Sequence, residues 1–162
     1  MWFDVEACGL DFCEQSPHRI VNEAVLAVEP ARAFALIASD RELGAWLHDF
    51  VACRWTSDPP HGVGSTREVT LKALRVREKF IAWEPGERLT FTFTASTLPV
   101  MQRAVEDLQL TQVGPAKTRL RWTVHYELRP WVRPFHVLPR AIFQRLFARS
   151  AENLVRYATE HG

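Results

Sequence analysis

Two charged residues on neighbouring strand-like segments are the strongest candidates for chemistry in this sequence. Arg67 and Glu78 flank a predicted hairpin turn near Ala73 and Leu74. A turn at that point would place Val69 opposite Glu78 and would make Arg67 the diagonal neighbour of Glu78, within reach for long side chains. If this parity faces the interior, the pair could orient the polar head of a ligand or act as acid and base in an enolisation. The alternative is an ordinary ion pair on the sheet surface.

A tyrosine near the end of the longest predicted strand is the third candidate. Trp122, Val124 and Tyr126 share one parity within residues 119–128, so the Tyr126 hydroxyl is expected in the same interior as the two apolar side chains. A polar tip inside an apolar pocket can orient a small ligand. Otherwise Tyr126 is a core residue bonded to the backbone. His125, on the opposite parity, is expected to face solvent.

The sequence lacks the motifs of common cofactor and metal sites. Gly62 and Gly64 begin a glycine pattern in which Arg67 stands at the third position and no helix is predicted to follow, so a tight turn is expected. The six histidines have neither HxxxH nor HExxH spacing, and no GxSxG elbow is present. We therefore expect no metal and no cofactor. The catalytic residues, if the protein is an enzyme, are unknown, with Glu78, Arg67 and Tyr126 as candidates.

Composition limits the class of partner. The chain has 162 residues, 47% of them hydrophobic, with 20 basic and 19 acidic residues. The length predicts one domain. The charge balance argues against nucleic acid, which requires a basic excess on one face. No stretch approaches the ~20 apolar residues of a membrane span, so no stable membrane insertion is expected.

Cysteine usage and the first residues predict a cytoplasmic protein. Cys8, Cys13 and Cys53 are odd in number and show no CxxC spacing, which favours reduced thiols. The chain starts with early acidic residues and no basic region, unlike a signal peptide.

The elements that must position these residues are mostly strands. Alternation with a period of two and the turn residues between segments predict strands over residues 20–28, 50–55, 65–71, 76–83, 89–93, 108–113 and 119–128. Short helices are predicted over residues 31–38 and 41–47. Residues 97–104 are expected to form a loop or a short helix.

A long amphipathic helix is predicted over residues 140–160, with apolar residues spaced three or four apart. One helix is too narrow to fill the concave side of a wide sheet, so a cavity is expected between them. The residues expected to line it and contact a ligand are Trp46, Phe50, Trp55, Arg67, Val69, Glu78, Phe91, Phe93, Trp122, Val124, Tyr126, Phe143 and Phe147. For several of the aromatic residues, a role in the core alone is the alternative.

Two flanking segments complete the chain. Residues 1–17 are predicted to be an N-terminal extension that packs as an irregular strand. The proline-rich connector of residues 129–139 contains Trp131 and Phe135 and is basic. It could form a lid or an edge that touches a membrane. The alternative is a loop packed on the end of the sheet.

The order of these elements resembles the START-like (SRPBCC) superfamily, in particular its polyketide cyclase/dehydrase and lipid-transport branch. The resemblance covers about residues 18–160 and is carried by residues 30–34, 40–46, 62–67, 78–89 and 118–122. It implies an α+β helix-grip fold as a single domain over residues 1–162. In this fold a curved antiparallel sheet of about seven strands wraps around the C-terminal helix, with two short helices after the first core strand.

The resemblance also implies a hydrophobic tunnel and a small hydrophobic ligand. Our first hypothesis is therefore a protein that binds or carries a lipid-like or polyketide-like molecule. One alternative is an enzyme of the polyketide cyclase, aromatase or dehydratase type without a cofactor. Another is a protein-interaction module with a collapsed cavity. The superfamily shares no catalytic signature, so no catalytic role is transferred. Monomer and homodimer both remain open.

Overall fold

An open antiparallel sheet wraps around one long C-terminal helix. The computed structural model describes residues 1–162. Its strands are β1 (Phe3–Asp4), β2 (His18–Leu26), β3 (Phe50–Trp55), β4 (Thr66–Leu71), β5 (Arg75–Glu84), β6 (Arg88–Ser96), β7 (Met101–Gly114) and β8 (Lys117–Leu128). Its helices are α1 (Phe12–Gln15), α2 (Pro30–Ala38), α3 (Leu43–Trp46) and α4 (Val137–His161), with a 3₁₀ turn at Arg133–Phe135. The predicted α+β helix-grip fold is confirmed.

Seven strands form the continuous sheet in the order β2-β8-β7-β6-β5-β4-β3. The two edge strands, β2 and β3, are joined by the segment that contains α2 and α3. The short β1 pairs with β6 at Phe3–Ser96 and Asp4–Ala95. The ladder between β6 and β7 ends at the pair Thr92–Val105, so β1 occupies the place where these two strands separate.

Helix α4 packs its buried stripe against the concave side of the sheet. Phe147, Ala151, Leu154 and Ala158 are buried on this stripe. Ser150 lies among them, and its Oγ donates to the carbonyl of Leu146 at 2.8 Å and accepts the backbone N–H of His48 at 3.0 Å. This bond attaches the middle of α4 to the residues that follow α3. No helix combines the length and apolarity needed to cross a membrane.

Helices α2 and α3 close one side of the cavity. Pro30 occupies the first turn of α2, where its missing N–H costs little. Leu36 and Ile37 are buried in the core, and Trp46 of α3 donates its indole N–H to the carbonyl of Leu36 at 3.4 Å. The Trp46 carbonyl accepts the side-chain amide of Asn153 at 3.2 Å, which joins α3 to α4.

The β4–β5 hairpin differs in register from the prediction. Arg67 pairs directly with Glu78, and Val69 pairs with Val76 rather than with Glu78. The prediction was wrong because the centre of the turn lies one residue earlier in the chain than assumed. A shift of one residue at the turn moves every cross-strand pair by two residues.

Two other boundaries also differ. Strand β7 begins at Met101, so the segment of residues 97–104 is a tight turn followed by a strand, not a helix. Helix α4 begins at Val137, three residues before the predicted start. Pro139 lies in its first turn, where proline is tolerated because the first N–H groups of a helix have no partner within the helix.

The N-terminal extension covers the outer face of the sheet. After β1 it forms α1, whose Phe12 is buried, rather than the irregular strand expected for the whole segment. Beneath it, Thr92 accepts the backbone N–H of Cys8 at 3.0 Å. His125 was expected to face solvent, but it is buried and shares a hydrogen bond of 2.9 Å with Ser16 Oγ. Its outward parity was predicted correctly, but the extension excludes solvent from that part of the outer face.

Candidate ligand-binding cavity

A cavity of about 90 Å³ lies between the concave face of the sheet and α4. Of its 23 lining residues, 19 are hydrophobic. The sheet supplies most of the wall. The rest comes from α2, α3, α4, the end of the β4–β5 turn and the β6–β7 turn. Only Arg67, Glu78, Ser96 and Glu106 bring polar side chains to the lining.

Ten of the thirteen residues expected at the cavity line it. They are Trp46, Arg67, Val69, Glu78, Phe91, Phe93, Trp122, Val124, Phe143 and Phe147. Trp122 is central to their packing, since its ring lies edge-to-face with Phe147 at 5.3 Å and with Trp46 at 5.9 Å between centroids. The placement follows from strand parity and helix spacing. Their contact with a ligand stays a prediction.

Three expected residues lie outside the lining. Tyr126 has the predicted inward parity, but α4 begins over it. Its hydroxyl is 2.8 Å from His136 Nε2 and accepts from Arg140 at 3.2 Å, and its ring packs on Phe143. It is therefore a buried residue bonded to side chains, which was neither of the expected arrangements.

Phe50 and Trp55 were wrongly placed because both belong to β3, at the edge of the sheet. The ring of Phe50 lies so close to Gly44 that a Cβ there would approach it to 2.7 Å, so Phe50 packs against α3. Trp55 is at the other end of β3. It stacks on His61 with 3.7 Å between ring centroids and contacts Phe80 instead of lining the cavity.

Arg67 and Glu78 form a buried ion pair in the cavity wall. Arg67 Nε donates to Glu78 Oε2 at 2.6 Å, and the two residues are 3% and 4% exposed. This burial rules out the alternative of a surface ion pair. The guanidinium also lies over the rings of Phe80 and Phe91, at 4.9 and 5.3 Å from their centroids. Such contacts stabilise a cation that has little access to water.

Burial opposes a charge on either member of this pair, and each member favours the charged form of the other. Burial disfavours the charged form of Arg67, but the Glu78 carboxylate, together with Cys53 and Glu106, raises the pKa of the guanidinium. Burial raises the pKa of Glu78, and the Arg67 charge opposes that rise. Arg67 NH1 is buried and has no hydrogen-bond partner. A buried donor without a partner is costly and suggests that a further acceptor completes the site.

Glu106 on β7 is a cavity residue that the sequence analysis missed. Its Oε2 accepts the indole N–H of Trp122 at 3.0 Å. Burial, strengthened by the nearby Glu78 carboxylate, raises the pKa of Glu106 to about 8. The carboxyl is therefore mostly neutral at pH 7 and can donate a hydrogen bond. Glu106 was missed because the predicted strand began at Leu108, although Glu106 shares the parity of Leu108.

These polar groups give the cavity a specific chemistry. The ion pair holds one guanidinium in place with a free N–H, and the neutral carboxyl can both donate and accept. Together they can bind one or two oxygens of an otherwise apolar molecule. Glu106 could also transfer a proton near neutral pH, because its pKa lies close to that pH.

A second cluster on the outer face brings together possible metal ligands. Cys13, Asp107 and His125 place one ligand atom each within 4.8 Å of one another. However, both oxygens of Asp107 already accept hydrogen bonds, from Arg88 at 2.8 and 3.1 Å, and from Thr90 and Gln109, each at 2.8 Å. Burial raises the pKa of Cys13 to about 11. A protonated thiol and an occupied carboxylate fit an anchor for the N-terminal segment better than a metal site.

Comparisons with known proteins agree with this architecture. The family model described as "Polyketide cyclase / dehydrase and lipid transport" matches residues 17–159. A protein of Mycobacterium tuberculosis, named only as uncharacterized, is 31% identical over 156 residues, which are 96% of this chain and 93% of the relative. A protein of Mycobacterium bovis, also named as uncharacterized, matches with the same values.

Solved structures share the fold at low sequence identity. The Zhui aromatase/cyclase from Streptomyces sp. R1128 superposes with a TM-score of 0.76 at 8% identity, over 88% of this chain and 94% of that one. A START superfamily protein from Mycobacterium smegmatis gives a TM-score of 0.65 at 14% identity, over 88% and 94% of the two chains. At such identities the likeness concerns the fold alone.

Proposed function

The chain belongs to the polyketide cyclase/dehydrase and lipid transport family, and we propose that it binds a small hydrophobic molecule in the cavity between the sheet and α4. The observation that carries this proposal is the cavity lining, which is apolar except for four residues and includes a buried arginine with a free donor. Desolvation would supply most of the affinity, at roughly 25 cal/mol per Å² of apolar surface buried.

The polar residues favour an uncharged ligand that carries an oxygen. Arg67 and Glu78 balance each other, and Glu106 is mostly neutral at pH 7, so the cavity has almost no net charge. A carboxylate would add an unbalanced charge to a buried site, which is costly. A carbonyl, hydroxyl or phenol oxygen could accept from Arg67 NH1 without that cost, and Glu106 could make a second hydrogen bond.

The cavity can accept a drug-sized ligand only if part of its wall moves. Pockets for drug-sized molecules measure about 300–1,000 Å³, well above the 90 Å³ of this cavity. The first turns of α4 supply Phe143 and Leu146 to the wall, but most of their other side chains are exposed. We propose that these turns move outward when a lipid-like or polyketide-like molecule is taken up.

A second candidate function is an enzyme of the cyclase, aromatase or dehydratase type. The specific observation in its favour is Glu106, a buried carboxyl whose pKa of about 8 suits proton transfer near neutral pH. Glu106→Gln would abolish turnover in an enzyme but change ligand affinity only modestly in a carrier. Glu78→Gln extends this test, because it keeps the side-chain shape while removing the counter-charge of Arg67.

Mass spectrometry tests the primary proposal. Organic extracts of the gently purified wild-type protein would be compared with extracts of Val69→Phe, in which the larger side chain fills the cavity. We expect an uncharged, oxygen-containing compound in the wild-type extract and its depletion in the variant. Equal amounts in both extracts would contradict a site in this cavity.

We also propose a cytoplasmic location for the protein. The free state of all three cysteines supports this proposal.

A further inference from the structure

Exposed apolar side chains are concentrated in one short segment of this protein. Thirteen large hydrophobic residues of the chain are exposed, and five of them fall within residues 131–142. These five are Trp131, Phe135, Val137, Leu138 and Ile142, which we call the apolar ridge, and each is 58–82% exposed. Contiguous apolar exposure of this kind marks interaction sites, whereas single exposed hydrophobic residues do not.

The ridge is held on a well-anchored segment. The backbone N–H of Arg129 donates to the Val100 carbonyl at 2.9 Å, and the N–H of Val132 donates to the Arg129 carbonyl at 2.9 Å. Val132 is buried while its neighbour Trp131 points outward. Pro134, within the 3₁₀ turn, further limits the backbone. The backbone that carries Trp131 and Phe135 is therefore held in place by the fold of the segment.

Basic residues predominate in the segment that carries the ridge. Residues 129–151 contain no aspartate or glutamate, and their five arginines are Arg129, Arg133, Arg140, Arg145 and Arg149. Arg133 forms an ion pair with Glu127, at 2.9 Å. Arg145 and Arg149 are exposed. The complete chain has a net charge of only +1, so this segment is a local basic region on an otherwise acidic protein.

The ridge lies next to the wall of the cavity. Phe143, directly after Ile142 of the ridge, lines the cavity, and so does Val100, which accepts the bond from Arg129. Leu98 lines the cavity and is also partly exposed to solvent, at 40%. A surface that the ridge contacts would therefore be close to the first turns of α4 and to the β6–β7 turn.

We propose that the apolar ridge docks this protein on the surface of an anionic phospholipid bilayer. Tryptophan, phenylalanine and aliphatic side chains enter the interfacial region, and arginines beside them bind the anionic headgroups. A second copy of this chain fits less well, because pairing two ridges would bring the exposed Arg145 and Arg149 of one copy towards those of the other. Docking does not require a ligand in the cavity, but it would allow an apolar ligand to pass between bilayer and cavity without crossing water.

Vesicle co-sedimentation tests this proposal. The complete protein would be mixed with phosphatidylcholine vesicles and with vesicles that also contain phosphatidylglycerol. Trp131→Gln/Phe135→Gln removes the two ridge aromatics, and Arg145→Gln/Arg149→Gln removes two exposed charges. The control for the aromatics is Val51→Gln/Val63→Gln, which changes exposed apolar residues elsewhere, and the control for the charges is Arg41→Gln/Arg119→Gln.

We expect binding to the anionic vesicles that is at least about tenfold stronger than to the neutral ones and that weakens with added salt. The variant without the two aromatics and the variant without the two arginines should each lose most of this binding. The two control variants and Val69→Phe should keep it. Equal binding to both vesicle types, or unchanged binding by the aromatic and arginine variants, would overturn the proposal. The proposal would also be overturned if the protein did not bind vesicles but formed concentration-dependent dimers that require Trp131 and Phe135. Because Val69→Phe fills the cavity but leaves the ridge unchanged, vesicle binding by this variant shows that docking can be tested independently of the proposed ligand site.

Discussion

Arg67 and Glu78 face each other across β4 and β5, joined by a hydrogen bond of 2.6 Å between Nε and Oε2, and both are almost completely excluded from solvent. A buried ion pair is a weak source of stability, because the cost of desolvating two charges offsets their attraction. Here the pair also keeps one guanidinium N–H without a partner in the cavity wall. This arrangement is better suited to binding an oxygen atom than to stabilising the fold.

Removing one charge of the pair should therefore destabilise the protein more than replacing both residues with apolar ones. Glu78→Gln leaves Arg67 charged and unbalanced, and we expect the free energy of unfolding to fall by about 3–5 kcal/mol. The double variant Arg67→Met/Glu78→Leu should regain most of this stability and yet lose affinity for oxygen-containing ligands. Urea unfolding of the single and double variants measures the first effect. If the double variant were less stable than Glu78→Gln, the pair would be a structural requirement of the fold.

The stability of the protein should depend on pH through Glu106. Its pKa is about 8 in the folded state, and an unperturbed glutamate has a pKa of about 4.3. Between these values the folded protein holds a proton that the unfolded chain has released. The contribution of Glu106 to stability is therefore present at low pH and is lost as pH rises through this window, at about 1.4 kcal/mol per pH unit.

Glu106→Gln should remove this dependence while keeping an acceptor for the Trp122 indole. The free energy of unfolding of the variant relative to wild type should rise with pH from about 4.3 to about 8 and then become constant. Denaturant unfolding at several pH values provides the measurement, with the exposed Glu152→Gln as control. A difference between Glu106→Gln and wild type that did not vary with pH would show that Glu106 is ionised in the folded protein.

Ser150 should stabilise the contact between α4 and the residues after α3. Ser150→Ala leaves the backbone N–H of His48 without its acceptor, and we expect a loss of about 1–3 kcal/mol in the free energy of unfolding. Thr159→Ala is the matched control, since the Thr159 hydroxyl also donates to the carbonyl four residues earlier but has no second partner. Thermal unfolding of both variants compares them. Equal losses would contradict a specific role for the His48 bond.

The N-terminal segment should contribute to stability through one aromatic residue. Phe12 of α1 is buried, and the guanidinium of Arg103 lies 4.7 Å from its ring centroid. Phe12→Ala should cost about 3–5 kcal/mol by loss of buried surface and creation of a cavity. Leu10→Ala, at an exposed neighbouring position, should have little effect when both are measured by urea unfolding. A negligible effect of Phe12→Ala would mean that the segment is dispensable for folding.

The sequence was sufficient to predict most of the fold and the apolar wall. Alternation of side chains along β6 and β8 assigned Phe91, Phe93, Trp122 and Val124 to one face, and helical spacing assigned Phe147 to the buried side of α4. Parity is a local property, so one strand reveals it without knowledge of its neighbours. What parity leaves open is how far along a strand the cavity extends.

Two of the errors came from contacts between distant segments. Tyr126 has the inward parity, but the start of α4 closes over it through His136 and Arg140. His125 has the outward parity, but Ser16 and its neighbours cover it. The sequence of neither covering segment indicates where that segment packs on the sheet. The pairing of Arg67 with Glu78 depended on the exact centre of one turn, which sequence patterns do not define to the residue.

Fluorescence titration with N-phenyl-1-naphthylamine, an uncharged apolar probe, tests the central claim most directly. Wild type would be compared with Val69→Phe, which fills the cavity, and with Val25→Phe, which adds the same side chain at an exposed position of β2. We predict saturable binding of one probe per chain by wild type and by Val25→Phe, and its loss in Val69→Phe with folding intact by circular dichroism. The absence of saturable binding by wild type, or equal binding by all three proteins, would contradict a ligand site in this cavity.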